Sequence, residues 1–307
     1  MGGDATIELE ATCVLDAHAQ LGECPLWDER SQQLYWIDID GQAVHRFDPA
    51  TGVDEQRAAP GRPGSMALTG ADGTLLVAIE ERLAALDWDS STWTDWLGLE
   101  PAGTGNRMND GRTDPQGRFW VGSMFAETSK RQASGMLHRI SADGSATVAR
   151  TGIGVPNGLA FSPDGQTMYF ADTHRDTVWA SDYDAASGAA SNERVFLDFT
   201  TLPGRPDGAC VDADGYYWIA CVYGSAVLRM TPSGEIDRTV TLPVPKPTMP
   251  AFGGPDMTTL FITTIGGGGS HAIDPSTPQA GGIFAVETGI RGLPPVPFAG
   301  RVPGTTR

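Results

Sequence analysis

The feature that most constrains this chain is internal repetition. The stretches "CPLWDERSQQLYWIDIDGQAVHRFDPATG" from Cys24, "NGLAFSPDGQTMYFADTHRDTVWASDYDAASG" from Asn157 and "DGACVDADGYYWIACVYGSAVLRMTPSGE" from Asp207 share one grammar. Each starts with a short apolar strand and a D-x-x-G or similar turn. A second strand ends in Asp or a small residue, a third carries a basic or aromatic residue, and another Gly turn follows. Weaker copies begin near Ser65, Asn109 and Thr248. The spacing is roughly 40–50 residues, the period of a four-stranded propeller blade. Six such units fill the 307 residues. The predicted fold is all-β: a six-bladed β-propeller with four antiparallel strands per blade, residues 1–307 forming a single domain. Closure is expected where the segment Thr12–Asp16 joins the last blade. A pair of β-sandwiches would use similar strands but gives no cause for the register of the repeats. Long helical periodicity is hard to find, and 39 Gly and 22 Pro punctuate the chain.

That register also places the chemistry. In a propeller the first strand of each blade lies nearest the central channel, and its beginning faces one mouth. Glu23 falls there in blade 1, Arg107 and Asn109 in blade 3, Asn157 in blade 4 and Asp207 in blade 5. Residues far apart in sequence would thus converge on one axis. Glu23, Asn157 and Asp207 offer two carboxylates and an amide oxygen, hard donors suited to Ca²⁺, Mg²⁺ or Mn²⁺. Three protein ligands leave positions free for water or substrate, as metal-assisted hydrolysis requires. Asp207 is also placed to take a proton from an attacking water. Arg107 and Asn109 supply donors for hydroxyls or a carbonyl oxygen. The plain alternative is that Asn157-Gly158, Asp207-Gly208 and Asp110-Gly111 merely form turns. Recurrence at equivalent blade positions weighs against it.

At these residues the sequence resembles the regucalcin (senescence marker protein)/gluconolactonase-like family of sugar lactonases. The resemblance runs from "LGECPLWDERSQQLYWIDI" to "AGGIFAVETGIRGL". Its more specific pieces are "RMNDGRTDPQGRFWVGSM", "VPNGLAFSPDGQTMYFAD", "RPDGACVDADGYYWIACVYGSAVLRMTPSGE" and "FGGPDMTTLFITT". It implies a six-bladed propeller with one divalent cation near the axis, held by Glu23, Asn157 and Asp207. Substrate contacts carry over to Arg107, Asn109 and Glu127, the last in a loop of variable length, and Asp207 carries over as the base. The implied metal is Ca²⁺ first, with Zn²⁺, Mn²⁺, Mg²⁺ or Fe²⁺ as alternatives. Where the family commonly reads GEGP or GESP, this chain reads "GECP". Cys24 therefore sits beside a ligand, as a small buried residue or, less simply, as a soft donor.

Other classes fall away. A formal charge of −17 and a pI near 4.5 disfavour nucleic acid and anionic membranes as partners. No run approaches the roughly 18 apolar residues of a membrane span, and "MGGDATIELEATC" has no basic-then-apolar signal pattern. The expected location is the cytoplasm, with Cys13, Cys24, Cys210 and Cys221 as free thiols. There is no G-x-S-x-G, so a covalent serine hydrolase is not expected. Gly266–Gly269 lacks the Lys-Ser/Thr of a phosphate loop and reads as a loop between outer strands. His174, after "FADT", is placed either as a loop or strand residue or as a contact at the pocket mouth. The Trp and Tyr residues of "LYWI", "RFWV" and "YYWI" read as packing between blades.

The expected activity is therefore that of a metal-dependent sugar lactonase, a carboxylic ester hydrolase opening an aldonolactone to the aldonic acid. A calcium-binding regulatory protein without turnover, and an esterase or phosphotriesterase on the same fold, remain open. The preferred sugar, the ring size and the oligomeric state are not legible.

Overall fold

A computed structural model describes residues 7–268, 271–272 and 274–304. It is a six-bladed β-propeller, as the repeats require. Blade 1 consists of Gly22–Asp28, Gln33–Asp38, Ala43–Asp48 and Val53–Ala58. Blade 2 runs through Pro63–Leu68, Thr74–Ile79, Arg82–Asp87 and Thr92–Gly98. Blade 3 comprises Asn106–Thr113, Phe119–Phe125, Gly135–Ile140 and Ala146–Ile153. Blade 4 has Pro156–Phe161, Thr167–Asp172, Thr177–Asp184 and Ala189–Asp198. Blade 5 has Arg205–Val211, Tyr217–Val222, Ala226–Met230 and Ile236–Thr241. Blade 6 takes Pro247–Gly253, Thr259–Thr264 and Ile283–Glu287 from one end of the chain and Thr12–Leu15 from the other.

Each strand's composition follows its distance from the axis. Inner strands pack between neighbouring blades and are buried on both faces, so "PGSMAL" and "TLLVAI" read as continuous small or apolar runs. Outermost strands such as "VDEQRA" and "AASNERVFLD" are mostly exposed and polar. The apolar clusters lie between blades. One joins Tyr35 and Ile37 of blade 1 to Met66 and Val77 of blade 2. Another joins Trp120 of blade 3 to Phe161 and Phe170 of blade 4. Tyr169 and Tyr217 meet at 4.7 Å between blades 4 and 5, and Trp218 meets Phe252 edge-on at 5.5 Å between blades 5 and 6.

The D-x-x-G turns are structural staples. Asp114, fully buried, accepts from the backbone N–H groups of Gln116 and Arg118, from Trp120 Nε1 and from Tyr183 Oη. Asp212 does the same for Asp214, Tyr216 and Trp218, and also accepts from Arg229 Nε at 2.8 Å.

Closure comes from the N-terminal segment, with Thr12 opposite Ala285 in antiparallel register. One element was not foreseen. Ile7–Glu10 lies parallel to Ile236–Thr241, making a fifth strand on blade 5. The chain start therefore ties blades 5 and 6 together. Gly266–Gly268 lies between the second and third strands of blade 6, where Gly266 donates to Ala19 O; Gly269 is outside the described residues. No helix among the described residues is long and apolar enough to cross a membrane.

Candidate functional site

In the inner strands of blades 1, 3, 4 and 5, pairing to the second strand breaks register at the polar residues singled out above. The breaks fall between Glu23 and Leu26, Met108 and Gly111, Asn157 and Ala160, and Pro206 and Ala209. A bulge leaves residues unpaired and re-aims their side chains. This is why an asparagine or aspartate sits in a strand otherwise built for burial. The bulge also explains the residue that follows. Cys24 (φ 48°) and Gly158 (φ 61°) are both left-handed. At Gly158 a Cβ would lie 2.6 Å from Tyr217 Oη, which instead donates to Gly158 O at 2.7 Å. Asn157-Gly158 is therefore a bulge inside a strand, not a turn.

A hydrogen-bond chain runs across three blades. Arg107 Nη1 donates to Asn109 Oδ1 at 2.8 Å. Asn109 Nδ2 donates to Asn157 Oδ1 at 3.1 Å and to Pro156 O at 2.9 Å. Asn157 Nδ2 donates to Thr173 Oγ1 at 2.8 Å, and Thr173 Oγ1 donates to Pro206 O at 2.8 Å, beside Asp207. The chain fixes the orientation of Asn157 and leaves its Oδ1 a second lone pair.

Around this chain the charge is predominantly negative. Burial, and then the charge of Asp110, push Glu23 up to about 8, against the Cys24 N–H and Arg107. Burial, then Glu23 and Asp110, raise Asp207 well above the usual carboxylate range. Burial raises Asp110 too, opposed by Arg112 and by the Leu159 and Gly111 N–H groups. Asp110 Oδ2 accepts from Leu159 N at 3.1 Å, while its Oδ1 is buried without a hydrogen-bond partner. Arg107 is lowered to about 10, chiefly by burial and then by Arg62.

Carboxylates that raise one another in a buried site are what a bound cation relieves. The donor set fits a hard divalent ion: carboxylate oxygens from Glu23 and Asp207 and the amide oxygen of Asn157. Among the described residues, no three His, Cys, Asp or Glu side chains gather closely enough to hold a metal by themselves. An ion there needs Asn157 as a donor. Cys24 is turned to another task. Its Sγ accepts from Met66 N at 3.3 Å and bonds Met66 O at 3.8 Å, and burial pushes its thiol up to about 12.

The other two candidates stand apart from this network. Glu127 is exposed at the start of the 3₁₀ turn Thr128–Lys130 and pairs with Lys130 Nζ at 3.0 Å. No hydrogen bond or ion pair among the described residues links it to the hub. His174, next to Thr173, donates its backbone N–H to Asp172 Oδ1. Its Nδ1 is buried without a partner, and burial, then Arg131, lower its pKa.

With this geometry in place, the family comparison is decisive. The description "SMP-30/Gluconolactonase/LRE-like region" matches residues 21–266. The chain belongs to this family. Among curated SMP-30/gluconolactonase relatives, regucalcin of Xenopus laevis is 35% identical over 96% of this chain and 100% of its own length. The 6-deoxy-6-sulfogluconolactonase of Pseudomonas putida is 36% identical over 94% of this chain and 98% of its own. The crystal structure of a calcium-binding protein, regucalcin, from Agrobacterium tumefaciens superposes with a TM-score of 0.88 at 29% identity, covering 96% of this chain and 99% of that one.

Sequence reasoning missed two members of the hub. Asp110 read as half of an Asp-Gly turn; its neighbour Asn109, at the same bulge, was the available signal. Thr173 lies in the connection after a second strand, 16 positions from the Asn157 it orients. Nothing in the spacing marks it.

Proposed function

We propose that this protein is a divalent-cation-dependent hydrolase that opens a sugar lactone, an aldonolactone, to the aldonic acid. The single observation that carries the reading is the hub itself. Acidic and amide side chains from blades 1, 4 and 5 converge there, Asn157 and Asp207 buried and Glu23 half-buried, and their amide is wired to the Arg107–Asn109 pair. A purely structural hub has no reason to bury carboxylates that repel. The relative named for a sulfogluconolactonase activity supports the substrate class.

Glu23, Asn157 and Asp207 would hold the cation, which when bound supplies Lewis-acid polarisation of a carbonyl and a lowered pKa for water. Asp207 accepts the proton of the attacking water as its oxygen adds to the lactone carbonyl carbon. The ring C–O bond then breaks, and the same proton passes to the departing ring oxygen, which becomes a hydroxyl. The carboxylic acid produced ionises, so each turnover releases one proton to solvent. The cation would offset the repulsion from Glu23 and Asp110 and hold Asp207 ionised, the form that can accept that proton. Arg107 and Asn109 orient ring hydroxyls, and Glu127 contacts the substrate from the loop at the rim. Arg107 Nε and Nη2 make no hydrogen bond among the described residues, and they favour a hydroxylated ring because an apolar ring would leave them unpaired.

The test is proton release over a panel of aldonolactones, with chelator-stripped protein and then with each cation restored. Turnover that requires the cation supports the reading. Cation binding without turnover of any lactone favours the second reading, a calcium-binding protein, the function printed for the Agrobacterium neighbour. Turnover undiminished after stripping overturns the proposed cation dependence.

A further inference from the structure

A cavity lies on the same axis, and none of Glu23, Arg107, Asn109, Asn157 or Asp207 lines it. Its volume is about 310 Å³, within the small-molecule range of about 300–1,000 Å³. The hub residues occupy the beginnings of the inner strands. This cavity is lined from their middles and ends, by Trp27 of blade 1, Thr113 of blade 3, Phe161 of blade 4, Val211 of blade 5 and Phe252 of blade 6. It therefore faces the opposite mouth of the propeller.

Arg112 forms the floor between the two sites. From blade 3 it donates through Nε to Leu159 O at 3.0 Å in blade 4 and through Nη2 to Ala209 O at 2.6 Å in blade 5. No hydrogen bond among the described residues uses its Nη1, and it forms no ion pair within 4 Å there. Asp110, the carboxylate whose pKa it lowers, belongs to the hub. A guanidinium thus lines a cavity whose walls are otherwise mostly apolar.

The C-terminal segment straps the mouth. Arg291 O accepts from Ala213 N and Gly292 N donates to Met257 O; on the far side Phe298 N donates to Leu68 O and Ala299 N to Gly117 O. Between these anchors runs "LPPVP", in which the prolines have no N–H to tether. Leu293 and Val296 of this span line the cavity while 38% exposed.

We propose that this lower cavity is a second binding site, for a small amphipathic monoanion such as a medium-chain carboxylate, with its chain against Trp27, Phe161 and Phe252 and its headgroup on Arg112. A polyhydroxy acid does not fit these walls, so the aldonate product of the upper site is not its ligand. The proposal does not depend on the lactonase reading.

The experiment titrates the full chain with butanoate, hexanoate and octanoate, and with gluconate, octan-1-ol and octylammonium as comparators. Intrinsic tryptophan fluorescence and calorimetry are the readouts. The expected result is one saturable site for octanoate, tightening about three- to fourfold per added methylene. Octan-1-ol binds at least about tenfold more weakly, and octylammonium and gluconate do not bind. Arg112→Gln keeps an amide donor for the blade carbonyls but removes the charge, and octanoate weakens about tenfold or more while octan-1-ol is unchanged. Because Arg112 spans three blades, two further variants test the site without touching it: Ala251→Phe, which fills the wall, and Leu293→Glu, which puts a negative charge on the strap. Both weaken octanoate and leave lactone turnover intact. The proposal is overturned if octanoate does not saturate by about 1 mM. Octan-1-ol binding as tightly as octanoate, or octanoate binding unchanged by Ala251→Phe, also overturns it.

Discussion

Asp207 and Asp212 lie five positions apart in blade 5, both buried, and removing them should have opposite effects. Asp212 accepts from two turn N–H groups at 3.0 Å, and from Trp218 Nε1 and Arg229 Nε at 2.8 Å. Asp212→Ala strands all four donors in the interior. Breaking a buried ion pair costs about 3–5 kcal/mol. Arg229 keeps Asp237 at 2.6 Å, which moderates the loss, while the orphaned N–H groups add to it. The expected destabilisation is about 4 kcal/mol. At an unfolding entropy of about 2.1 cal/mol/K per residue, a chain of 307 residues loses about 6 °C in Tm. Asp207→Ala removes instead a carboxylate that burial, Glu23 and Asp110 all disfavour in its ionised form. In chelator its Tm should equal or exceed the parent's, while lactone turnover falls by about a thousandfold or more, a typical cost of losing a central catalytic group. Thermal scans in chelator and proton-release rates with the cation restored read both effects. Two results would refute the reasoning: Asp212→Ala melting within about 1 °C of the parent, or Asp207→Ala losing as much Tm as Asp212→Ala.

Three further outcomes are expected. Arg107→Lys keeps a charge but loses the planar donor that bonds both Met108 O and Asn109 Oδ1. Its kcat/KM should drop about 10- to 100-fold with Tm unchanged, measured by steady-state kinetics beside a melt. Adding cation to stripped protein should raise Tm in proportion to its affinity, and Glu23→Gln should blunt that rise in a cation titration. His138 is held below the usual 6.5 of a free imidazole by burial, opposed by Glu100, so the fold favours its neutral form. The stability this gives is present above pH 6.5 and lost as pH falls below it, by at most about 1.4 kcal/mol per pH unit. Urea melts at pH 7 and pH 5.5 should show a shallower acid loss for His138→Gln than for the parent.

The propeller was legible because its cause is local and repeated. Each blade needs an apolar strand, a tight turn and another strand, and those needs recur every 40–50 residues or so. Strand identity shows in composition, since inner strands are buried on both faces and rim strands on neither. The fifth strand of blade 5 was not legible. Ile7–Glu10 is four residues long, alternates weakly, and gains its place only from the edge of a strand some 230 positions away. The hub divides in the same way. Glu23, Asn109, Asn157 and Asp207 stand out because polar residues recur where the repeat calls for apolar ones. Asp110 and Thr173 do not, because one is disguised as a turn and the other acts from a connection through its hydroxyl, which bonds Asn157 and Pro206. An aspartate close before a glycine does two unrelated jobs in this chain. At Asp114 and Asp212 the carboxylate is saturated by N–H and O–H donors, so the motif is a staple. At Asp110, a bulge leaves one carboxylate oxygen without a donor, and at Asp207 the nearest charges repel. The distinction shows in hydrogen-bond saturation and in spacing, D-x-x-G at the staples against D-G at the bulges, and it separates the residues that hold the propeller from those free to bind a guest.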